Sequence, residues 1–320
     1  MTRVLVAVVT HDSTNDLPAL LASIEAGMSG VDQWRLVVAD NASTDGSVDL
    51  VRELLPSATV VETGANLGYA AGINACACLA EPTEDLLVLN ADVCLSPGCV
   101  LELVRACESG AIGVAVPVVF RGDGEPEPTL RRKPTVVRVL ADALLGARAG
   151  RLGEELAVSE LRPHGPTDAD WANGAVLFIP ASVRTSIGPW REDLFLYSEE
   201  VDYCRRVVDA GWRVCQVPGA TATHRGGDVT RSPALWAQLT TNKVVHMARW
   251  EGQRAAAMTW AILVAAQLLR LPLRRGTHRR ALLELLRGRR KLVNGVPTNP
   301  AAPKGFAAHV PAPKSVGGHR

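Results

Sequence analysis

The strongest constraint on the fold is an alternation of short apolar runs and helix-like segments over the first hundred residues. The apolar run 4–9 is rich in β-branched residues and predicts a strand buried on both faces. Runs at 34–39, 59–62 and 86–89 predict three further strands, with segments of helical spacing after each. Repeated strand–helix units form parallel sheets that helices cover on both sides. The sequence therefore predicts an α/β fold around a mostly parallel sheet.

Polar residues directly follow three of these strands. His11 and Asp12 follow the first strand, Asp40 ends the second, and Asn90 and Asp92 follow the fourth. Ligands of such sheets bind beyond the carboxyl ends of the strands. Carboxylate and diphosphate oxygens are the ligands that Mg²⁺ and Mn²⁺ prefer. We therefore expect a nucleotide site at this edge of the sheet, with Asp92 as a cation ligand.

The middle of the chain continues the pattern less regularly. Segments 113–120, 171–179 and 212–217 predict strands, and 121–134 is loop-like by composition. His224 follows the last of these strands in a predicted loop. A lone histidine is more often a surface or packing residue than a metal ligand, and the pattern by itself leaves both roles open.

The segment 195–206 has the most informative local composition, Phe-Leu-Tyr-Ser-Glu-Glu-Val-Asp-Tyr-Cys-Arg-Arg. Glu199, Glu200 and Asp202 crowd the start of a predicted helix, where the helix dipole favours acids. Three acids within four residues exceed what helix capping needs. An enzyme that transfers a group to a hydroxyl needs a general base with a pKa near neutral pH. Adjacent carboxylates raise one another's pKa toward that range. A catalytic carboxylate in this segment is the alternative to simple capping.

Bulk composition sets the broad class. Apolar residues make up 47% of the chain and charged residues 21%, as in soluble globular proteins. The seven cysteines form no Cys-x-x-Cys pair, which argues against a zinc site, and isolated thiols suit a reduced cytoplasmic compartment. The apolar run at the N-terminus is too short for a signal peptide, and no stretch approaches the length of a spanning helix.

The C-terminal third is helical and basic. An apolar segment, 255–269, precedes a segment, 270–291, that carries nine Lys and Arg residues against the single acid Glu284. An apolar helix beside a basic amphipathic one is typical of a protein lying on an anionic membrane, here the inner face of the cell membrane. Packing on the catalytic domain or a homodimer contact is the alternative. No aromatic platform accompanies the charge, which disfavours nucleic acid.

The motifs together resemble family 2 glycosyltransferases. They are Val-Val-Thr-His-Asp-Ser at 8–13, Asp-Asn-Ala-Ser-Thr-Asp-Gly-Ser at 40–47, Asn-Leu-Gly at 66–68 and Leu-Asn-Ala-Asp-Val at 89–93. The later pieces, Trp171-x-x-Gly-Ala, the acidic segment at 195–202 and His224, follow in the order of the rhamnosyltransferase-like branch. The resemblance covers about residues 3–230, and the ordered set is far more specific than any one motif.

The resemblance implies a GT-A nucleotide-diphospho-sugar transferase fold with a C-terminal helical extension. It implies a catalytic domain over 1–240, with a nucleotide-binding half at 1–110 and an acceptor and catalytic half at 111–240. The helical extension would cover 241–295, and composition predicts a disordered tail over 296–320.

The resemblance also implies site residues. The donor and nucleotide would be bound by Thr10, His11, Asp12, Asp40, Asn41, Ser43, Asn66, Gly68, Asn74 and Asn90. The acceptor side would comprise Trp171, Gly174, Ala175 and Asp202, and the metal ligands would be Asp92 and His224. Glu200 falls at the position of the catalytic base, with Glu199 as its rival.

Two departures from the family pattern bear on the chemistry. Glu200 stands where the base is usually Asp, which shifts the carboxylate by one methylene. Asn90 replaces the first acid of the DxD-type motif. Asp92 and His224 would then supply the protein ligands of the cation, with diphosphate oxygens and water completing its shell.

The implied activity is inverting transfer of a sugar from a nucleotide diphosphate donor to a hydroxyl, with Mg²⁺ or Mn²⁺. The resemblance favours dTDP-rhamnose over a UDP-sugar and a cell-envelope or polyprenyl-linked glycan as the acceptor. A sugar nucleotidyltransferase is one alternative, although residues 4–16 lack the glycine-rich loop expected of it. An inactive nucleotide-sugar-binding module on the same fold is the other alternative.

Overall fold

The computed structural model describes residues 1–157, 160–162, 165–226, 232–273 and 275–303. The strands are β1 (Arg3–Thr10), β2 (Gln33–Asp40), β3 (Thr59–Glu62), β4 (Asp85–Asn90), β5 (Val93–Leu95), β6 (Ile112–Phe120), β7 (Leu130–Arg131), β8 (Thr167–Ala169), β9 (Trp171–Ala172), β10 (Val176–Ile179) and β11 (Arg213–His224). The helices are α1 (Leu17–Gly27), α2 (Ser47–Leu54), α3 (Tyr69–Ala77), α4 (Cys99–Cys107), α5 (Val136–Leu145), α6 (Ala181–Ile187), α7 (Glu199–Asp209), α8 (Pro233–Trp250), α9 (Gln253–Arg270) and α10 (Arg275–Val293). Short 3-10 helices cover Gly146–Leu152 and Glu192–Leu194.

A single large sheet organises the molecule. Within the described residues it has nine strands, ordered β3-β2-β1-β4-β10-β6-β11-β5, with β8 also paired to β11. The first four strands are parallel, and β10 runs antiparallel between β4 and β6. Thr10 lies opposite Asp40, and Val9 opposite Asn90. The carboxyl ends of β1, β2 and β4 therefore meet at one edge, as the sequence predicts.

The sheet is buried on both faces. Val4, Val6 and Val8 of β1 pack into one apolar cluster with α1, α2 and α4. The intervening residues of β1 pack into a second cluster with α3 and α7 on the opposite face. Because side chains alternate along a strand, one apolar run serves both layers. This arrangement confirms the predicted α/β architecture.

The segment predicted as one strand over 171–179 is two strands instead. β9 pairs with β7 in a separate two-stranded sheet, whereas β10 joins the main sheet. Residues 173–175 turn the chain between them. The turn is fixed from outside, because Asn173 donates its backbone N–H to Thr129 and Tyr69 donates its hydroxyl to the carbonyl of Gly174.

The last strand is longer than the predicted 212–217. β11 runs from Arg213 to His224. It includes Pro218 and Gly219, where its pairing register with β6 shifts between Val217 and Thr221. Pairing with β6 on one side and with β5 on the other carries the strand past these residues. His224 consequently ends a strand, and the prediction of a loop at this position is wrong.

The C-terminal helices form a third layer. Val245 of α8, Leu263 of α9 and Leu285 of α10 share a buried cluster, and Trp260 donates its indole N–H to the carbonyl of Leu285 at 2.8 Å. Part of the apolar stripe predicted to face a membrane, including Leu285, thus packs on neighbouring helices. No helix in the described part of the chain combines the length and apolar character needed to cross a membrane.

The predicted division at 240/241 falls inside α8. Residues 296–303, assigned to the tail by composition, contact the rest of the chain: Asn299 donates its side-chain N–H to the carbonyl of Asp193 at 2.8 Å. Residues 304–320 lie outside the described part of the chain. The boundaries of the domains remain predictions.

Candidate active site

Asp40 holds the loop that follows β2 against the end of β1. This residue is 3% exposed. Its Oδ1 atom accepts hydrogen bonds from the hydroxyls of Thr10, at 3.0 Å, and of Ser43. Its Oδ2 atom accepts from the backbone N–H of Ser43 at 2.9 Å. Three of the residues predicted to bind the nucleotide thus form one buried hydrogen-bonded unit.

The loop after β1 is pinned to the same unit. Asp12 has a φ of 51° and lies exposed, with its Oδ1 accepting from the backbone N–H of Thr44 at 2.8 Å. Its own N–H donates to the Ser43 hydroxyl at 2.9 Å, and His11 Nδ1 lies 2.9 Å from the carbonyl of Asn41. The structure therefore brings the predicted nucleotide residues of both loops together, with His11 and Asp12 on the solvent side.

Gly68 connects this region to the segment that carries the acidic pair. The side-chain N–H of Asn41 donates to the carbonyl of Gly68 at 2.9 Å, and the N–H of Gly68 donates to Asn66 Oδ1 at 3.2 Å. Gly68 has a φ of 89°, and a Cβ atom there would lie 2.1 Å from the carbonyl oxygen of Phe195. The next residue, Tyr69, donates its N–H to that same carbonyl at 2.8 Å. Only glycine fits this close approach.

Asp92 and His224 meet at the carboxyl end of β4, as the resemblance implies. His224 Nε2 lies 3.2 Å from Asp92 Oδ1 and 3.4 Å from Asn90 Nδ2. The other oxygen of Asp92 accepts from the backbone N–H of Gly226 at 3.0 Å. His224 reaches this place because β11 pairs with β5, which sets His224 opposite Val93.

A second carboxylate lies behind His224. Glu127 Oε2 is 3.1 Å from His224 Nδ1, so the imidazole sits between two carboxylates. Burial by itself lowers the pKa of His224, but hydrogen bonds to Asp92 and Glu127 outweigh it and raise that pKa to about 9. Burial tends to raise the pKa of Asp92, yet the hydrogen bond and charge of His224 hold it below its ordinary value. The two pKa shifts therefore favour the charged forms of both side chains, the imidazolium of His224 and the carboxylate of Asp92.

Asp92 and His224 can hold a divalent cation only if other ligands complete its coordination shell. Asp92 Oδ1 and His224 Nε2 converge, and carboxylate with imidazole is an acceptable pair for Mn²⁺. Among the described residues, no group of three or more His, Cys, Asp or Glu side chains is arranged to hold a metal. Two protein ligands plus diphosphate oxygens and water match the way such ions are held on nucleotide substrates.

The acidic pair sits at the start of α7, after a strained turn. Phe195, Tyr197 and Ser198 have φ values of 65°, 68° and 74°, which non-glycine residues adopt at a cost of about 1–3 kcal/mol each. Glu199 is 3% exposed, and among the described residues none donates a hydrogen bond to its Oε2 atom. Glu200 is half-buried. Backbone strain of this kind clusters at functional sites, and here it sets the direction of both carboxyl groups.

The two acids titrate differently. Burial, and next the charge of Glu200, raise the pKa of Glu199 well above its ordinary value. Burial raises the pKa of Glu200 to about 7, against the lowering effects of backbone N–H groups and of the Arg131 charge. Two adjacent buried carboxyl groups do not both ionise readily, so near neutral pH the proton stays on Glu199. The half-buried Glu200 is the better general base.

Tyr69 links the acidic pair to the metal-ligand pair. Its hydroxyl donates to the carbonyl of Gly174 at 3.0 Å. Burial raises the pKa of Tyr69 well above its ordinary value, and the charges of Glu199, Asp92 and Glu200 raise it further. The charges of all three carboxylates therefore act on one phenol, whose ring would lie 3.4 Å from a Cβ atom on Gly174.

Gly174 and Ala175, which are predicted to line the acceptor side, lie in the turn between β9 and β10. A Cβ atom on Gly174 would be 4.0 Å from Glu200 Cβ. The carbonyl of Ala175 accepts from the backbone N–H of Asn90 at 3.0 Å. This turn thus borders both halves of the candidate site.

A buried amide of α8 supports the strained turn. Asn242 is fully buried, and the two N–H groups of its Nδ2 are shared among the carbonyls of Leu194, Leu196 and Tyr197, at 3.1, 3.0 and 2.7 Å. Gln238, one helical turn earlier, donates to Leu194 at 3.0 Å. The helical extension is consequently part of the framework that positions the acids.

Asn74 is not brought to the candidate donor pocket. Its amide donates to the carbonyl of Trp190 at 2.9 Å and to Glu192 Oε1 at 2.7 Å, and its Oδ1 accepts from the N–H of Trp190 at 2.9 Å. Every one of these contacts joins α3 to the segment before the acidic turn. The observed contacts are those of a residue that holds the framework together.

Asp202 and Trp171 also face other partners. Asp202 is buried, and its two oxygens accept from Arg206 at 3.0 Å and from the indole of Trp250 at 3.2 Å. Trp171 donates its indole N–H to the carbonyl of Arg132 at 3.1 Å. Asp202 thereby ties α7 to α8, and neither side chain is seen to contact the carboxylates of the candidate site.

Sequence reasoning missed Tyr69, Glu127, Gln238 and Asn242. Each acts through a contact distant along the chain: Glu127 reaches His224, and Asn242 reaches the turn at 194–197. No local sequence pattern marks Glu127, Gln238 or Asn242. Only the position of Tyr69, next to the Asn-Leu-Gly motif, offered a clue.

The sequence of this chain is similar to those of known proteins. A profile of Glycosyl transferase family 2 matches residues 5–158. The N-acetylglucosaminyl-diphospho-decaprenol L-rhamnosyltransferase of Mycobacterium tuberculosis is 31% identical over 319 residues, which cover 90% of this chain and 100% of that protein. The chain belongs to glycosyl transferase family 2. This family 2 transferase is also 24% identical to rhamnosyltransferase WbbL of Escherichia coli over 156 residues, covering 48% of this chain and 57% of that one.

Solved structures show the fold of the transferase. The mannosyltransferase PcManGT from Pyrobaculum calidifontis, in complex with GDP-Man and Mn²⁺, superposes with a TM-score of 0.56 at 17% identity, covering 91% of this chain and 87% of that chain. GalNAc-T7 with UDP, GalNAc and Mn²⁺ gives a TM-score of 0.59 at 14% identity, covering 90% and 56%. The predicted GT-A fold and the predicted glycosyltransferase class, similar to rhamnosyltransferases, are confirmed.

Proposed function

We propose that this family 2 transferase moves a sugar, with inversion, from a nucleotide diphosphate donor to a hydroxyl of a lipid-linked glycan. The observation that carries the proposal is the 173–175 turn, which lies beside Tyr69 and Glu200 on one side and is bonded to Asn90, next to His224, on the other. Asp92 pairs with His224 on one side, and Glu199 and Glu200 begin α7 on the other. A site with a cation-binding pair beside a carboxylate of raised pKa suits displacement of a diphosphate by a hydroxyl.

The donor is dTDP-rhamnose in this proposal, with a UDP-sugar as the alternative. The names of the relatives support the rhamnosyl group. The loops after β1 and β2 support a nucleotide, because they form a preorganised set of polar groups at the carboxyl ends of parallel strands.

Asp92 and His224 would hold Mg²⁺ or Mn²⁺ together with the diphosphate of the donor. When bound, such a cation stabilises negative charge on the departing diphosphate. Glu127 would keep the imidazole of His224 in place through Nδ1, as carboxylates do behind metal-bound histidines.

Glu200 would act as the base. The acceptor O–H gives its proton to the Glu200 carboxylate while its oxygen attacks the anomeric carbon from the face opposite the diphosphate. The bond between that carbon and the diphosphate oxygen breaks in the same step, so configuration inverts. Glu199, whose raised pKa keeps it protonated, leaves the negative charge of the pair on Glu200.

The acceptor side would be formed by the 173–175 turn, and Glu200 faces it across Gly174. The relative from Mycobacterium tuberculosis is named for a decaprenol-linked acceptor. By this likeness we propose a polyprenyl diphosphate glycan as the acceptor and a peripheral position of the protein on the inner face of the cell membrane.

Release of nucleotide diphosphate tests the proposal. The full chain is incubated with dTDP-rhamnose, UDP-sugars or GDP-sugars, with and without Mn²⁺, and with a short-chain polyprenyl diphosphate that carries N-acetylglucosamine. We expect release with dTDP-rhamnose that depends on both cation and acceptor and is lost in Asp92→Ala. Glu62→Gln, an exposed acid paired with Arg52, is the matched control. Nucleotide binding without turnover for every donor would instead support an inactive binding module.

A further inference from the structure

Helix α5 presents an apolar face to solvent. Val137, Leu140 and Leu144 repeat at helical spacing and are 42–68% exposed. The opposite side of the helix is buried through Val139. An outward helix face made of large aliphatic side chains is unusual at the surface of a water-soluble domain.

The two polar residues of α5 do not interrupt this face. Arg138 donates to the backbone carbonyl of Lys133 at 3.1 Å. Asp142 Oδ2 accepts from the backbone N–H of Glu154 at 3.2 Å. Both side chains are thus engaged with neighbouring backbone, and the outward surface keeps only aliphatic groups.

The end of α9 extends the apolar surface. Arg270 donates to the carbonyl of Ala143 at 2.5 Å, which joins the C-terminal ends of α5 and α9. Exposed leucines lie close to this junction along both helices. We name the combined surface the apolar tip; it comprises Val137, Leu140, Leu144, Leu145, Leu152, Leu268, Leu269 and Leu273.

Exposed arginines border the apolar tip. Arg148 and Arg151 lie in the 3-10 helix that follows α5, and Arg279 and Arg280 lie at the start of α10. Arg280 pairs with Glu284 at 3.2 Å and Arg151 with Glu160 at 3.6 Å, but residues 252–283 contain no Asp or Glu, so the rim keeps an excess of positive charge. Leucines rimmed by arginines match an anionic lipid surface, where acyl chains take the apolar groups and headgroups pair with the cations.

The same charges disfavour a second copy of the chain as the occupant. In a two-fold dimer the same patch faces itself, so the arginines of one copy would approach those of the other. A lipid surface brings opposite charge instead.

We infer that the apolar tip is the surface by which this protein docks on an anionic membrane, with the leucines of α5 and of the end of α9 entering the lipid. The inference rests on the proposed function, because a polyprenyl-linked acceptor is met at the bilayer. It keeps Leu268 and Leu269 of the apolar segment predicted from the sequence and adds α5, but it leaves out Ala281 and Leu285 of α10, which are buried.

Sedimentation with vesicles tests the inference on the full chain. Vesicles contain equal parts of phosphatidylglycerol and phosphatidylcholine, or phosphatidylcholine alone. We expect binding to the anionic vesicles, and a loss of about tenfold or more in the double variant Leu140→Glu/Leu144→Glu. Arg148→Gln/Arg151→Gln should weaken binding to anionic vesicles only. The matched control is Leu54→Glu, an exposed leucine of α2, which should bind as the unmodified protein does.

Two results would overturn the inference. One is unchanged vesicle binding in the α5 double variant that keeps its circular dichroism spectrum. The other is a dimer in light scattering that this variant dissolves, because the surface would then belong to a second copy. Transfer to a water-soluble acceptor separates this inference from the proposed function: the α5 variant should retain it, whereas absence of transfer in the unmodified protein would count against the function alone.

Discussion

Replacement of Asn242 tests whether the helical extension positions the catalytic acids. In Asn242→Ala, the carbonyls of Leu196 and Tyr197 lose a buried donor, whereas Leu194 keeps its bond from Gln238. Both carbonyls are partly buried, and a typical hydrogen bond contributes about 0.5–1.5 kcal/mol net, so the two losses should lower the free energy of unfolding by about 1–3 kcal/mol. That is a large fraction of the stability of an ordinary domain.

The catalytic effect should be separable from the loss of stability. The turn at 195–198 is strained and loses part of its support, so the acids of α7 should sample other positions. Urea unfolding would report the stability, and steady-state kinetics at a temperature where the variant is folded would report kcat and KM. We expect kcat to fall about tenfold or more, by analogy with the cost of misplaced catalytic groups, with a small change in KM for the donor.

The control for this experiment is Asn294→Ala. Asn294 is exposed and accepts one hydrogen bond from Gln253 at 3.1 Å. Its removal should change the free energy of unfolding by less than about 0.5 kcal/mol. Equal stability and equal kcat in Asn242→Ala and the unmodified protein would refute the assigned role of Asn242.

Three further outcomes follow from the site. The transfer rate should rise with pH through about 7 as Glu200 loses its proton, and a pH profile of kcat/KM that is flat across neutrality would exclude it as the base. Glu127→Gln should weaken Mn²⁺ binding about 10–100-fold in the presence of nucleotide, measured by electron paramagnetic resonance, and unchanged affinity would remove its role behind His224. Gly68→Ala should cost about 2–5 kcal/mol in urea unfolding, since the new Cβ meets the carbonyl of Phe195 in a left-handed conformation. Gly64→Ala is the matched control, because its φ is also positive but its Cβ meets nothing within 4 Å, and equal costs would show that the close contact is unimportant.

The sheet and its functional edge were predictable because their signals are local. A short run rich in β-branched residues, such as 4–9, favours a strand buried on both sides, and polar residues after parallel strands meet at one edge of the sheet. The places of His11, Asp12, Asp40 and Asp92 follow from that rule. The resemblance to known transferases then supplied the pairing of Asp92 with His224, which the structure contains.

The rest depended on contacts between distant parts of the chain. His224 lies in a strand because β5 and β6 pair on either side of β11 beyond residue 217, where the predicted strand ended. Asn74 matches a family motif, yet its amide is fully engaged with Trp190 and Glu192. The basic helix at the C-terminus was predicted to face a membrane, but its Leu285 and Leu292 pack inward, whereas Leu286 is exposed. The hydrophobic pattern of a helix does not show whether its apolar face packs on lipid or on protein.

The configuration of the product tests the central claim most directly. The full chain would receive dTDP-β-L-rhamnose, Mn²⁺ and a short-chain polyprenyl diphosphate carrying N-acetylglucosamine, and the linkage formed would be determined by nuclear magnetic resonance. A single displacement assisted by Glu200 predicts an α-linked rhamnose, and Glu200→Gln should lower its formation by about 10²–10⁴-fold while donor binding persists. A β-linked product, or full activity in Glu200→Gln, would contradict the account.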